Sequence, residues 1–467
     1  MPSAFILVPF FLLIILNLPF KFLKGESAFW LFAALLLAQL FLSALCPLDT
    51  PGARPDPLAP FFAFGLSIDS LSRLLLFSIA IVVFTSLSVS RYSIKGQTQR
   101  FNFINLVLIM LIGMNATVIV TDLFSLYLFI EVTAVASFIL ISIEKEKFAI
   151  EGAFKYLFLS AIATVFMLSS IALFLLLSGN TSFAAIAGTF KNSADNFLLK
   201  LATGLFLCAL FIKSGIFPFH GWLPDAHSSC PTPVSVLLSG IAVKACGIYV
   251  LVRLAISVFI LSIDAKNVLM FIGACSIVFG ALACLTQSNF KRLLAYSTIS
   301  QLGYIVLALG CFTPLALTGA LFHLFNHAVF KSLLFVNAGA VEKQAGTIDM
   351  DKMGGLAKQM PFTATTSAIA SLSAAGLPPL SGFWSKLIII LALWNSGRIF
   401  YAGVALLSSV LTLAYLLSLQ RKVFFGRLED SLKYIREAPL VIVFPEVLLA
   451  IITVAAGLGF AFMLRWF

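Results

Sequence analysis

Apolar positions along this chain come in long, nearly unbroken runs rather than in stripes. Runs of about 20 residues begin near Ser3, Ala28, Leu66, Phe103, Leu123, Phe154, Asn196, Thr232, Asn267, Arg292, Pro314, Phe362, Phe400 and Leu440. A run of that length, rising about 1.5 Å per residue as a helix, spans a hydrocarbon core. Strands of a membrane barrel would instead alternate in polarity. The pattern predicts an all-α integral membrane protein with 14 transmembrane helices. The first run, Ser3 to Phe20, lacks a preceding basic region and a small-residue cleavage site, so it reads as a span and not a signal peptide. The longer connections fall at 47–62, 179–195, 341–361 and 425–438. The others are short, which predicts one bundle.

Two runs are interrupted by glycine and proline. The seventh contains Lys213-Ser-Gly-Ile-Phe-Pro218-Phe-His220-Gly-Trp222, and the twelfth Gly376-Leu-Pro378-Pro379-Leu-Ser-Gly382-Phe-Trp384. Gly215, Pro218 and Gly221 superpose on Gly376, Pro379 and Gly382 at a constant offset of 161 residues. Backbone groups freed at such breaks need protein or water as partner, not lipid. The broken spans are five apart, so they cross the membrane in opposite senses. That predicts two inverted five-helix repeats, TM4–8 and TM9–13. The expected organisation is three N-terminal helices over 1–100, a first repeat over 101–260, a second over 261–428, and a last helix over 429–467.

Composition narrows the class. Of 467 residues, 61% are hydrophobic and 10% charged, against about 25% charged in a soluble domain. The net charge of +11 reflects 30 lysines and arginines against 19 acids, and the basic residues sit mainly in loops. Sixteen lie in loops after odd-numbered spans and five in or near the others. This positive-inside bias puts the odd loops in the cytoplasm and both termini outside, as in a multi-pass protein of a prokaryotic inner membrane. No basic stripe interleaved with aromatics points to nucleic acid. The seven cysteines form no C-x-x-C, so neither a cluster nor a metal site is expected here. No G-x-G-x-x-G or Walker loop is present either.

The informative residues are ionisable groups inside apolar runs, each costing about 2.5–3.5 kcal/mol at a bilayer centre. They are Glu131, Lys213, Lys244, His323, His327, Lys331 and Lys386. His323, His327 and Lys331 follow at steps of four, so they share one helix face over about 12 Å. Zinc is the competing reading of H-x-x-x-H, but it would need further ligands, and Leu324 stands where the metalloprotease form has Glu. A file of proton-exchanging groups fits better. Glu131 beside Lys213 would form a pair in which each group stabilises the other's charge and loses that support on separation. Blander readings apply elsewhere. Asp69 and Arg73 are four apart and suggest a local ion pair, as do Glu151 and Lys155. Asp122 suggests a helix N-cap. Arg253 suggests a snorkelling side chain.

At these residues the chain resembles the antiporter-like subunits of respiratory complex I, membrane-bound hydrogenases and Mrp-type sodium/proton antiporters. The strongest block runs Lys213-Ser-Gly-Ile-Phe-Pro-Phe-His-Gly-Trp-Leu-Pro-Asp-Ala-His227 and continues through Pro231-Thr-Pro-Val-Ser-Val-Leu-Leu-Ser-Gly240 to Lys244. Supporting it are Phe129-Ile-Glu131, Ala295-Tyr-Ser-Thr-Ile-Ser-Gln-Leu-Gly303, His323-x-x-x-His327-x-x-x-Lys331, Gly354-Gly-Leu-Ala-Lys-Gln-Met-Pro361 and Leu380-Ser-Gly-Phe-x-x-Lys386. The resemblance implies fourteen helices with helices 7 and 12 broken. It makes Glu131 and Lys213 the coupling pair, Lys244 the central relay and Lys386 the outer residue, with His323, His327 and Lys331 bridging the halves. Lys155, His220, Asp225, His227, Ser297, Ser300, Gln301 and Tyr304 are expected along the polar axis or its helix breaks. The implied function is translocation of H+, or exchange of Na+ for H+, by a non-redox subunit of a redox-driven complex. The alternative is a subunit of a stand-alone Mrp-type antiporter. The expected partners are other membrane subunits. Iron–sulfur centres, with nickel–iron or flavin according to the complex, are expected in those partners and no cofactor in this chain.

Overall fold

The computed structural model of the chain describes residues 2–18, 26–45, 64–193, 196–429 and 432–463. Among these the structure is helical, with isolated β-bridges but no strand. The helices are α1 (Ala4–Asn17), α2 (Glu26–Leu45), α3 (Ser70–Ser93), α4 (Gln97–Ile119), α5 (Leu123–Ile141), α6 (Lys147–Ser178), α7 (Phe183–Ser193), α8 (Phe197–Ser214) and α9 (Trp222–Ser229). They continue with α10 (Thr232–Ser257), α11 (Ile263–Leu285), α12 (Phe290–Cys311), α13 (Pro314–Ala345), α14 (Pro361–Ala375), α15 (Ser381–Asn395), α16 (Ile399–Phe425) and α17 (Leu440–Leu458). Among the described residues, twelve are long and apolar enough to cross a membrane; α1 and α15 are shorter apolar helices.

The chain divides into two units. The first holds residues 1–84, 96–215 and 242–262; the second holds 85–95, 216–241 and 263–467. In the first, α6 turns Phe148, Phe154, Phe158, Val165 and Leu176 outward. It buries small and polar residues such as Ser160, Ala163 and Ser170. In the second, α12 and α13 are buried over almost their whole length. This is the pattern of a membrane interior, where small and hydroxyl residues mediate helix contacts and bulky apolar ones face outward.

Local sequence sets the helix ends. Asp122 caps α5, its carboxylate accepting from Ser125 N at 2.8 Å, as its position predicts. Asn289 caps α12 in the same way, and Thr313 followed by Pro314 opens α13. The two breaks share a geometry. Gly215 ends α8 at φ 62° and Gly376 ends α14 at φ 88°, left-handed conformations that a Cβ would penalise. Pro218 and Pro379, each three residues on, both follow cis peptide bonds. The chain resumes as α9 and α15.

Several expected boundaries shift. Span 6 begins at Lys147 rather than near Phe154. The connection 179–195 contains the helix α7, and α13 continues to Ala345, inside the expected 341–361 loop. The 47–62 connection lies outside the described residues. No periodicity announces the two π-helical segments of α10, Leu238–Ala242 and Lys244–Ile248. Such widened turns recur at functional sites, and the second begins at Lys244.

Candidate functional site

In the first unit the site is built on α5, α6 and α8. Lys213, in the last turn of α8, is buried, and its Nζ donates to Glu131 Oε1 at 2.8 Å and to Ser160 Oγ at 2.6 Å. The same Glu131 oxygen accepts from Thr164 Oγ1 at 2.8 Å. Ser160 and Thr164 are one turn apart on α6, so one helix face serves both members of the pair. Glu131 is 22% exposed at its side chain and Lys213 1%, so the pair reaches from a partly open edge into the interior. The π segment carrying the fully buried Lys244 packs against α8.

In the second unit a row of side chains lies among α12, α13, α14 and α15. Lys331 on α13 donates to Leu294 O at 3.0 Å and to the Ser297 hydroxyl, both from α12. His323 and His327 are fully buried, their rings parallel within 6° and 6.0 Å apart, as a four-residue step on one helix requires. His323 Nδ1 lies 2.9 Å from Ser385 Oγ on α15. The Tyr304 ring stands 5.8 Å from that of His323 and 4.7 Å beneath the ammonium of Lys386. Lys386 donates to Ala374 O at 2.7 Å, a carbonyl that the break after α14 leaves without a helical donor. The row Lys331, His327, His323, Tyr304 and Lys386 is therefore buried and lined by hydroxyls.

Other expected residues have contacts of their own. Lys155 is half exposed and pairs with Glu151 at 2.7 Å, the local pair its spacing suggests. Asp225 pairs with Arg292 at 2.8 Å. His220 is half-buried against Phe217 and Phe279, and His227 stacks on Phe335. Ser300 turns its hydroxyl to Ile277 O, and Gln301 is buried beside Tyr415. The suggested Asp69–Arg73 pair is corrected. Both carboxylate oxygens of Asp69 are held by Arg253, which is therefore an ion-pair partner rather than a snorkelling residue.

Sequence reasoning misses four contributors. Ser160, Thr164 and Ser385 carry no charge, and hydroxyls are common in membrane helices. Glu446, fully buried in α17, carries the same signal that singles out Glu131: a carboxyl inside an apolar run.

Buried bases, a paired acid and two Gly/Pro breaks inside apolar helices define a multi-pass membrane protein with an internal row of ionisable groups. Residues 120–412 match the family described as NADH:quinone oxidoreductase/Mrp antiporter, transmembrane, and the chain belongs to it. The chain is 32% identical over 366 residues to the D component of the Na(+)/H(+) antiporter of Alkalihalophilus pseudofirmus, covering 78% of this chain and 74% of that one. It is 34% identical over 380 residues to NAD(P)H-quinone oxidoreductase chain 4 1 of a Synechococcus strain, covering 79% and 71%. Its fold matches a chain in the structure of the membrane-bound sulfane sulfur reductase, described as an archaeal respiratory membrane complex. The TM-score is 0.87 at 25% identity, over 100% of this chain and 96% of the other.

Proposed function

We propose that this chain is the ion-translocating, antiporter-like subunit of a redox-driven membrane complex of the complex I or membrane-bound hydrogenase type. Protons move by way of Glu131, Lys213, Lys244, Lys331, His327, His323 and Lys386. The observation that carries the reading is the Glu131–Lys213 contact, a partly desolvated ion pair with a hydroxyl ready to receive the ammonium on separation. Moving one charge against 100 mV costs about 2.3 kcal/mol. Breaking a buried ion pair costs about 3–5 kcal/mol, so rearranging this one is on the required scale. The fourteen-span count, the inverted repeats and outward termini belong to the same proposal. So do partner membrane subunits holding iron–sulfur and nickel–iron or flavin centres.

The test is coupled ion flux in vesicles containing the assembled complex. Glu131→Gln and Lys213→Ala should each abolish it with assembly intact; full flux in both would falsify the proposal. Similarity to a component of an Na(+)/H(+) antiporter supports a second reading, a stand-alone Mrp-type antiporter. Iron–sulfur or nickel signals in the copurified assembly select the redox-driven reading. Sodium-coupled exchange by an assembly lacking redox centres selects the other.

A further inference from the structure

The helix α14 is amphipathic in the inverted sense. Thr363, Thr366, Ser367, Ser371 and Ser373 are buried, while Phe362 is 58% exposed. At about 3.6 residues per turn these hydroxyls share one face, and in a membrane protein a polar face turned inward serves a polar path rather than solvent.

At the start of that face two carboxyls meet on one hydroxyl. Thr363 Oγ1 lies 2.7 Å from Glu437 Oε1 and 3.1 Å from Glu446 Oε2. A hydroxyl has one proton, so it donates to one of these oxygens, and the other contact needs a proton from the acid itself. Glu437 takes the acceptor role. Its Oε2 accepts from Phe362 N at 2.7 Å and Thr363 N at 3.4 Å, in the first turn of α14 where free amides favour an anion. Glu446 is fully buried, and the side chains facing it are Thr363, Asn337 and Glu437. The Asn337 amide donates to Thr366 Oγ1 at 2.9 Å. Glu446 Oε1 and Asn337 Oδ1, both buried, have no hydrogen-bond partner among the described residues. An ionised Glu446 would bury a charge with no cation facing it among the described residues and a second carboxyl beside it. A neutral Glu446 donates to Thr363.

We infer that Glu446, Thr363 and Glu437 form a proton-exchange relay that loads the interior from the surface end of α14. When Glu446 is ionised and Glu437 protonated, the Glu437 O–H breaks as its proton passes to Thr363 Oγ1. The Thr363 hydroxyl gives its own proton to Glu446 in the same event. One proton moves inward, and Thr363 is unchanged. Beyond Glu446 the face continues through Ser367 and Ser371, which Gln420 Nε2 bridges at 2.8 and 2.9 Å. It ends about 16 Å along the helix at Ala374, whose carbonyl holds Lys386.

The relay's role in transport rests on the translocation reading; the protonation of Glu446 does not. Infrared difference spectra of the purified assembly should show a neutral carboxylic acid that is lost in Glu446→Gln and kept in Glu437→Gln. No loss in Glu446→Gln overturns the relay. In vesicles, Glu446→Gln and Thr363→Val should slow coupled flux about tenfold or more, and Thr363→Ser should restore it. If both keep wild-type flux while Lys213→Ala abolishes it, the relay is off the path and the translocation reading stands. If Lys213→Ala is also silent, both fall.

Discussion

Lys213 and Glu131 are 82 residues apart in sequence and 2.8 Å apart in space, and only Glu131 reaches a partly open edge. Glu131→Gln leaves a buried ammonium facing only neutral acceptors, the new amide oxygen and the Ser160 hydroxyl. Lys213→Met leaves the carboxylate with Thr164. Removing one charge of a buried pair costs more than removing both. Allowing for the exposure of Glu131, each single variant should lose about 2 kcal/mol of stability, and the double variant should recover part of it. Thermal unfolding of the four proteins in detergent reads this coupling. Strictly additive losses would show that the two charges do not interact.

Lys331 offers a contrast. It is buried, and it donates to neutral oxygens, Leu294 O and the Ser297 hydroxyl. Stability alone does not call for an ammonium there, because a desolvated charge costs more than two such hydrogen bonds return. Lys331→Met removes the ammonium from a similar unbranched side chain and should unfold at or above the wild-type temperature while coupled flux is lost. A large drop in unfolding temperature with flux retained would mark Lys331 as structural.

These lysines also mark what the sequence makes legible. Ionisable groups within long apolar runs announce themselves because lipid tolerates them poorly, and Glu131, Lys213 and Lys331 are visible for that reason. Glu446 is equally visible by the same rule. The breaks are legible because glycine and proline act locally: Gly215 and Gly376 do adopt left-handed caps. Partners are another matter. Asp69 has an arginine four residues away, yet its carboxylate pairs with Arg253, 184 residues distant. Helix packing decides that contact, and no local spacing encodes it. Ser160, Thr164 and Ser385 are chosen by the same packing from many similar hydroxyls. The π segments at Lys244 have no compositional signature.

Lys244 opens a π-helical segment, where the wider turn re-aims the side chains relative to an α-helix. If that turn exists to present the amine, the charge is required and the bulk is not. Lys244→Ala should abolish coupled flux without preventing assembly, and Lys244→Arg should not restore it, because arginine holds its proton too tightly to pass it on. Size-exclusion profiles and vesicle flux check the two halves separately. Flux at the wild-type level in Lys244→Ala would remove the residue from the path.

The Asp69–Arg253 pair should give the protein an acid-sensitive increment of stability. Burial by itself would raise the Asp69 carboxyl, but the hydrogen bond and charge of Arg253, with the backbone and hydroxyl of Ser72, outweigh it and hold it at about 2 rather than 3.8. A carboxyl lowered on folding contributes its stability above the unfolded value and loses it as pH falls through the folded one. The increment is thus complete above pH 3.8 and disappears near pH 2. With 47% of the Asp69 side chain exposed, solvent screening limits it to about 1 kcal/mol. Asp69→Asn should therefore unfold at a lower temperature than wild type at neutral pH. The gap should stay constant on moderate acidification, narrow below about pH 4 and close near pH 2. Unfolding midpoints of the two proteins across that range test the sign directly. A gap that persists at pH 2, or that opens only on the alkaline side, would mean that Arg253 is not what stabilises the carboxylate.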